Sequence, residues 1–210
     1  MVEAISKTGY YPNKFGRIIL LAMEEILGRN GVNAVLNQSR QPEWINNYPP
    51  NNLDRQFQAA SLSRLQIAME EIYGPLGGHG LAIRSGRACF KHALRELGAD
   101  IGLTDINFKL LPLTTKIHQG TKLLTEALNR YTDQDISAEE DNDHYYLVTK
   151  RCRLCWGRHS DIPVCHLTVG VLQEALFWVS NGRSYNIEET LCIARGDPSC
   201  IIRIDKEPID

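Results

Sequence analysis

Apolar residues recur with helical spacing at Phe15, Ile18, Ile19, Ala22, Met23 and Ile26, and the run stops at Gly28. The same period returns at Leu62, Leu65, Met69 and Ile72, just ahead of Gly74 and Pro75. Each pattern predicts an amphipathic helix, because residues three and four apart share one face. Between them, residues 41–54 carry Pro42, Pro49, Pro50 and several asparagines, which predicts a loop; Trp44 and Tyr48 give it something to pack with. Gly77, Gly78, His79 and Gly80 lead into a third helix, with Ile83, Gly86, Phe90, Leu94 and Leu97 on one stripe and a stop at Gly98. Gly86 and Ala88 permit close approach by another helix or by a ligand. A fourth helix is expected over residues 113–131, with Ile117, Gly120, Leu124 and Leu128 facing inward. The acidic stretch 133–143 reads as a turn.

After this the period changes. Residues 144–150 are rich in β-formers and predict a strand running towards Cys152. Pro163 suits the first turn of a mostly apolar, buried helix over residues 164–179, which Asn181 and Gly182 end. Tyr185, Ile187, Glu189, Leu191 and Ile193 alternate along one strand, and Ile201, Ile202 and Ile204 mark another. The turn Gly196-Asp197-Pro198 joins these two as a hairpin.

A chain of 210 residues, 43% hydrophobic, can bury one substantial core. Its net charge of −2 offers no excess of cations for a phosphate backbone, so nucleic acid is disfavoured as a partner. The apolar runs fall well short of the roughly 20 residues a membrane span needs. The start, Met1 to Lys14, lacks the apolar centre of a signal peptide, and a cytoplasmic location is expected. The cysteines change the picture: five of the six (Cys152, Cys155, Cys165, Cys192 and Cys200, with Cys89 apart) fall in the last 59 residues. Grouped cysteines in a reducing compartment are more often metal ligands or redox groups than disulfides.

A hairpin turning at Gly196 brings Cys192 and Cys200 close as cross-strand neighbours. Cys165 stands near the start of the preceding helix, where backbone N–H groups favour a thiolate. A carboxylate from Glu188 or Glu189 completes a tetrahedral set of the kind that suits zinc. Residues three apart on a regular strand face opposite ways, so Glu189 needs a bulge beside Cys192. The Cys152-x-x-Cys155 unit supplies a second metal, replaces some ligands of the first, or is two cysteines at a strand end.

The ordered motifs Cys152, Pro163-Val164-Cys165-His166 with Gly170, Asn181-Gly182-Arg183, Glu189-Thr190-Leu191-Cys192, Ala194-Arg195-Gly196-Asp197 and Cys200 resemble the 4-vinyl reductase-like, or hydrocarbon-binding, domain family. The resemblance implies an α/β (α+β) fold, with helices packed on a small antiparallel sheet, similar to the ligand-binding domain of NO-signalling and Golgi-transport proteins. It implies a cavity for a small hydrophobic molecule, and a zinc ion held by Cys165, Glu189, Cys192 and Cys200. It also implies a division into residues 1–75, an N-terminal helical extension, and 76–210, the ligand-binding domain with its C-terminal metal site.

The expected function is therefore a zinc-containing protein that binds an apolar ligand, with a tetrapyrrole or chlorophyll precursor as the leading candidate by family analogy. Arg84 and Arg87 lie at helical spacing and are suited to a ligand carboxylate, with Gly86 and Phe90 beside them as further ligand-binding residues. One alternative is a reductase of vinyl tetrapyrroles, or an accessory enzyme of (bacterio)chlorophyll synthesis. The sequence has no Gly-rich nucleotide loop to hold a hydride donor, which favours binding over catalysis. Another alternative is an assembly subunit of the vesicle-tethering type, and a homodimer or other protein partner is left open.

Overall fold

A computed structural model describes residues 9–209. Residues 1–8, which belong to the start read above for a signal peptide, and Asp210 lie outside the described residues. The described residues open with β1 (Tyr10–Pro12) and α1 (Asn13–Gln38), then β2 (Arg55–Gln58), α2 (Ser61–Tyr73) and α3 (Pro75–Leu97). The short α4 (Ile106–Lys109), α5 (Leu113–Tyr131), β3 (Ile136–Glu140) and β4 (His144–Thr149) follow. The last elements are α6 (His166–Val179), β5 (Tyr185–Leu191) and β6 (Cys200–Pro208). The fold is α+β: β1 pairs with β2, and the main sheet is antiparallel in the order β3-β4-β6-β5. No helix among the described residues is long and apolar enough to cross a membrane.

Several boundaries differ from the sequence pattern. Gly28 interrupts α1 without ending it: its φ of 70° and ψ of 165° break the helix, which resumes to Gln38. The glycines after Pro75 are the first turns of α3 itself, where Gly78 lies so close to Glu70 of α2 that a Cβ would sit 2.7 Å from its Cα. The acidic stretch after residue 133 contains β3, an edge strand with one buried residue, Ile136, and three exposed ones. Pro163 precedes α6 by three residues, and Cys165 is its N-cap.

Two apolar clusters form the core. One joins α5 and α6 to the sheet, through residues such as Phe108, Ile117, Leu172, Leu176, Leu147 and Ile204. The other joins α1, α2 and the start of α3 to Cys152, Cys155, Cys165, Cys192 and Cys200, so the N-terminal helices cover the cysteine-rich end. The α3 and α6 helices cross where two glycines meet. A Cβ on Gly86 would lie 2.1 Å from the Leu167 carbonyl oxygen, and one on Gly170 would lie 2.0 Å from that of Ile83. Only hydrogen side chains permit this backbone-to-backbone approach.

Candidate metal centre and ligand cavities

Four chain segments deliver the cluster. Cys152 and Cys155 come from the loop after β4, Cys165 caps α6, Cys192 follows β5 and Cys200 opens β6 opposite Thr149. A short 3-10 turn, Ile193–Arg195, sits between β5 and β6, so Cys192 and Cys200 converge around it and are not strand partners. The register between β5 and β6 shifts between Glu189 and Leu191. Regular alternation turns Glu189 inward with Tyr185 and Ile187, and the shift after it lets Cys192 reach the same side, whereas Glu188 is exposed and pairs with Arg203 at 3.2 Å.

The five cluster cysteines are all buried. Cys152 and Cys165 are 3.4 Å apart at Sγ, Cys155 and Cys200 3.5 Å, and Cys165 and Cys200 3.8 Å. Four sulfurs bound to one ion at about 2.3 Å lie about 3.8 Å from one another in a tetrahedron, so the spacing is that of metal ligands. Among the described residues, two tetrads have all their donor atoms within 4.8 Å of one another: Cys152, Cys155, Cys165 and Cys200; and Cys165, Glu189, Cys192 and Cys200. Glu189 Oε2 accepts a 2.6 Å hydrogen bond from the Cys165 backbone N–H, while Oε1 is buried without a partner. A donor set of soft sulfurs with one orphaned carboxylate oxygen fits zinc.

The electrostatics agree with a site short of positive charge. Burial pushes Glu189 up to about 8, with Cys192 adding to the rise against the opposing Cys165 hydrogen bonds. Cys152 is drawn well below the usual thiol value, first by its hydrogen bond with Cys155 and then by those with Cys165 and Cys200. Cys165 and Cys200 are pushed up, chiefly by hydrogen bonding with Cys152 and Cys155. Protons are thus crowded onto part of the cluster, and a divalent cation would replace them. Beside the cluster, burial lowers His166 to about 4, and its ring centroid lies 4.0 Å from that of His79, the two rings tilted at 33°.

Two cavities flank α6. The smaller, about 170 Å³, has mostly apolar walls, among them Leu94, Leu97, Leu124 and Leu167, and is bordered by Cys152, Cys165 and Cys200. The larger, about 470 Å³, lies between α5, α6 and the sheet; Phe108 and Trp178 in its wall stack at 7°. Of the residues expected to bind ligand, Phe90 lines both cavities. Arg84 and Arg87 are exposed and outside both linings, and Arg87 donates to Gln173 at 2.9 Å. Gly86 is taken up by the α3–α6 crossing.

Sequence reasoning missed two supports of the centre. Arg153, inside the Cys152-x-x-Cys155 unit, is fully buried and ion-paired with Asp133, over the Trp156 ring. Gln66 of α2 donates to the Leu154 carbonyl at 3.3 Å and accepts from the Leu167 N–H at 3.3 Å, tying the cysteine loop to α6. Gln66 sits on the inner face of a helix among apolar residues, and a buried polar position of that kind is its one sequence signal.

No protein-family profile matches this chain, and no curated protein sequence does. Solved structures do share its architecture, among them H-NOX domains and a sensory domain of a transcription activator. A variant of the Tt H-NOX domain aligns over 95% of this chain and 97% of its own, with 12% identity and a TM-score of 0.59. An H-NOX protein from S. oneidensis in the Fe(II)NO ligation state covers 92% and 98%, at 16% identity and 0.54. The phenol-responsive sensory domain of the transcription activator PoxR, solved with phenol, covers 73% and 77%, at 16% identity and 0.52. At these identities the likeness is one of fold.

These findings correct the family reading: the 4-vinyl reductase-like assignment is not supported, and the fold neighbours over almost the whole chain are H-NOX domains. The motifs behind that reading are thiolates, glycines and turn residues, which local geometry demands wherever these elements meet. They do not single out a family.

A fold neighbour of the H-NOX family carries haem. Haem iron needs a side-chain ligand aimed into its pocket. His118 lines the larger cavity, but its side chain is 67% exposed and paired with Glu140 at 3.4 Å. The smaller cavity has neither histidine nor methionine in its lining, and its cysteines belong to the cluster, apart from Cys89. Neither cavity is lined by a buried histidine or methionine to ligate a haem iron.

Proposed function

We propose that this protein is a binding domain of the sensory kind, in which zinc on Cys165, Glu189, Cys192 and Cys200 braces one wall of a cavity for a small apolar molecule. One observation carries the reading: Cys165 and Cys200 belong to the ligand cluster and also border the smaller cavity. A volume of about 170 Å³ resembles the roughly 150 Å³ apolar cavity that stays dry and takes up benzene. A single aromatic ring is thus the ligand size, in line with a fold neighbour solved with phenol. Residues 76–210 hold the metal centre, and the extension before them closes the cavity through Tyr11, Phe15 and Ile18. The site is assigned binding, and no reaction is assigned to it.

A second reading places a larger multi-ring molecule, such as a tetrapyrrole without an axial ligand, in the larger cavity. Its 470 Å³ falls in the range of about 300–1,000 Å³ usual for organic ligands. Calorimetric titration with phenol, toluene, indole and porphyrin precursors separates the two. The expected result is saturable binding of a single-ring compound, lost in Ala127→Phe, which fills the smaller cavity, with zinc content unchanged. Saturable binding of porphyrin precursors alone selects the second reading, and no binding of any of them refutes both.

A further inference from the structure

The two tetrads share Cys165 and Cys200. On one side of this pair stand Cys152 and Cys155; on the other, Cys192 and Glu189. We propose that the centre is binuclear: two divalent ions, bridged by the Cys165 and Cys200 thiolates, with Cys152 and Cys155 completing one tetrahedron and Cys192 and Glu189 the other. This rests on the zinc reading above and adds a second metal to it.

Three observations carry it. The sulfur separations of 3.4, 3.5 and 3.8 Å all lie within the Cys152, Cys155, Cys165 and Cys200 tetrad, the last shared with the other, so this set is at least as well formed for a metal as the one containing Glu189. Yet Glu189, only 7% exposed, directs Oε1 to no partner, and a single metal held by the four thiolates leaves it so. With either tetrad alone, two buried donors remain unused: Cys152 and Cys155, or Cys192 and Glu189. Two bridging sulfurs use all six donors and give each ion four ligands, the number zinc takes in closed sites. On binding, those thiols and the carboxyl that still carry protons release them to solvent, and six negative charges, five thiolates and one carboxylate, meet four positive ones. A cluster of iron and sulfide is disfavoured, because direct bonding to a single ion already accounts for separations this short.

Zinc is the probe, counted by native mass spectrometry and elemental analysis on the full-length protein purified without oxygen. Two zinc ions per chain are expected. One ion overturns the binuclear centre while leaving the zinc reading standing, and none overturns both. In the variants, Cys155→Ser and Glu189→Gln are each expected to keep one ion, and Cys165→Ser to keep none. If Cys155→Ser retains the full wild-type zinc content, the second site is wrong. Because a variant can fail to fold, the wild type loaded with ¹¹³Cd gives an independent test. Two equal NMR signals, for one all-sulfur and one sulfur-and-oxygen environment, are expected, and X-ray absorption should show a metal–metal distance of roughly 3.5 Å. A single cadmium signal with no metal–metal scattering overturns the proposal.

Discussion

Replacing Gly86 with alanine tests whether the α3–α6 crossing sets the frame for the centre. The new Cβ would lie 2.1 Å from the Leu167 carbonyl oxygen and 3.0 Å from the Gly170 Cα, both backbone atoms that no rotamer change can move. Restoring ordinary contact requires the helices to part by about 1.3 Å. Overpacking of this kind costs about 3 kcal/mol at the upper end of the usual range, whereas alanine in place of a helical glycine regains about 1 kcal/mol. The net loss is about 2 kcal/mol, or about 1 M in the urea midpoint for a slope near 2 kcal/mol/M. Gly170→Ala meets Ile83 O at 2.0 Å and should lose a similar amount. One separation relieves both clashes, so the double variant should lose less than the sum of the two. Urea unfolding followed by circular dichroism measures all three. A Gly86→Ala protein as stable as the wild type, or more so, refutes the close-crossing argument.

Asp133→Asn strips the partner from buried Arg153; with Asp133 itself about a third exposed, the loss should be about 2–3 kcal/mol at pH 7, below the 3–5 of a fully buried pair, as thermal melts would show. Burial opposes ionisation of Asp133, but its hydrogen bond to Arg153 outweighs this and holds the carboxyl below its ordinary value. The pair's stabilisation is therefore complete above roughly pH 4 and lost as pH falls below it; a wild type and variant that lose stability in parallel on acidification would refute this. Chelation should make the cluster cysteines reactive to a thiol reagent, while Cys89, pushed up to about 12 by burial, stays slow; equal reactivity before and after would count against a bound metal. Gly28→Ala has open space around its Cβ but a φ of +70°, so backbone strain alone should cost about 1–3 kcal/mol; an unchanged melting temperature would show that α1 can straighten there.

Helices with a strong apolar stripe, α2 and α5, were legible in the sequence, as was β4 with its run of β-formers. The convergence of Cys192 and Cys200 was legible too, since few residues separate them. Short edge strands were not: β1 has three residues and β3 one buried side chain, too little for a period to emerge. The role of Cys152 and Cys155 was left open because their contacts with Cys165 and Cys200 depend on how the loop after β4 folds back, and residues 13 to 45 apart carry no local signal of meeting. The choice between Glu188 and Glu189 turned on one bulge, which the sequence permitted without specifying.

The position of Cys165 at the N-cap of α6 has a mechanical meaning. A metal at this residue would pin the first turn of the helix to β6, and the backbone contact at Gly170 presses on it about 7 Å further along. Sliding along the axis is then blocked at two neighbouring points. The far end, where Trp178 and Val179 line the larger cavity, is about 20 Å from the pin. With a metal bound as proposed, the freedom left to α6 is a swing about a pivot beside the thiolates, so displacement at either cavity would become torque on the ligands of that metal.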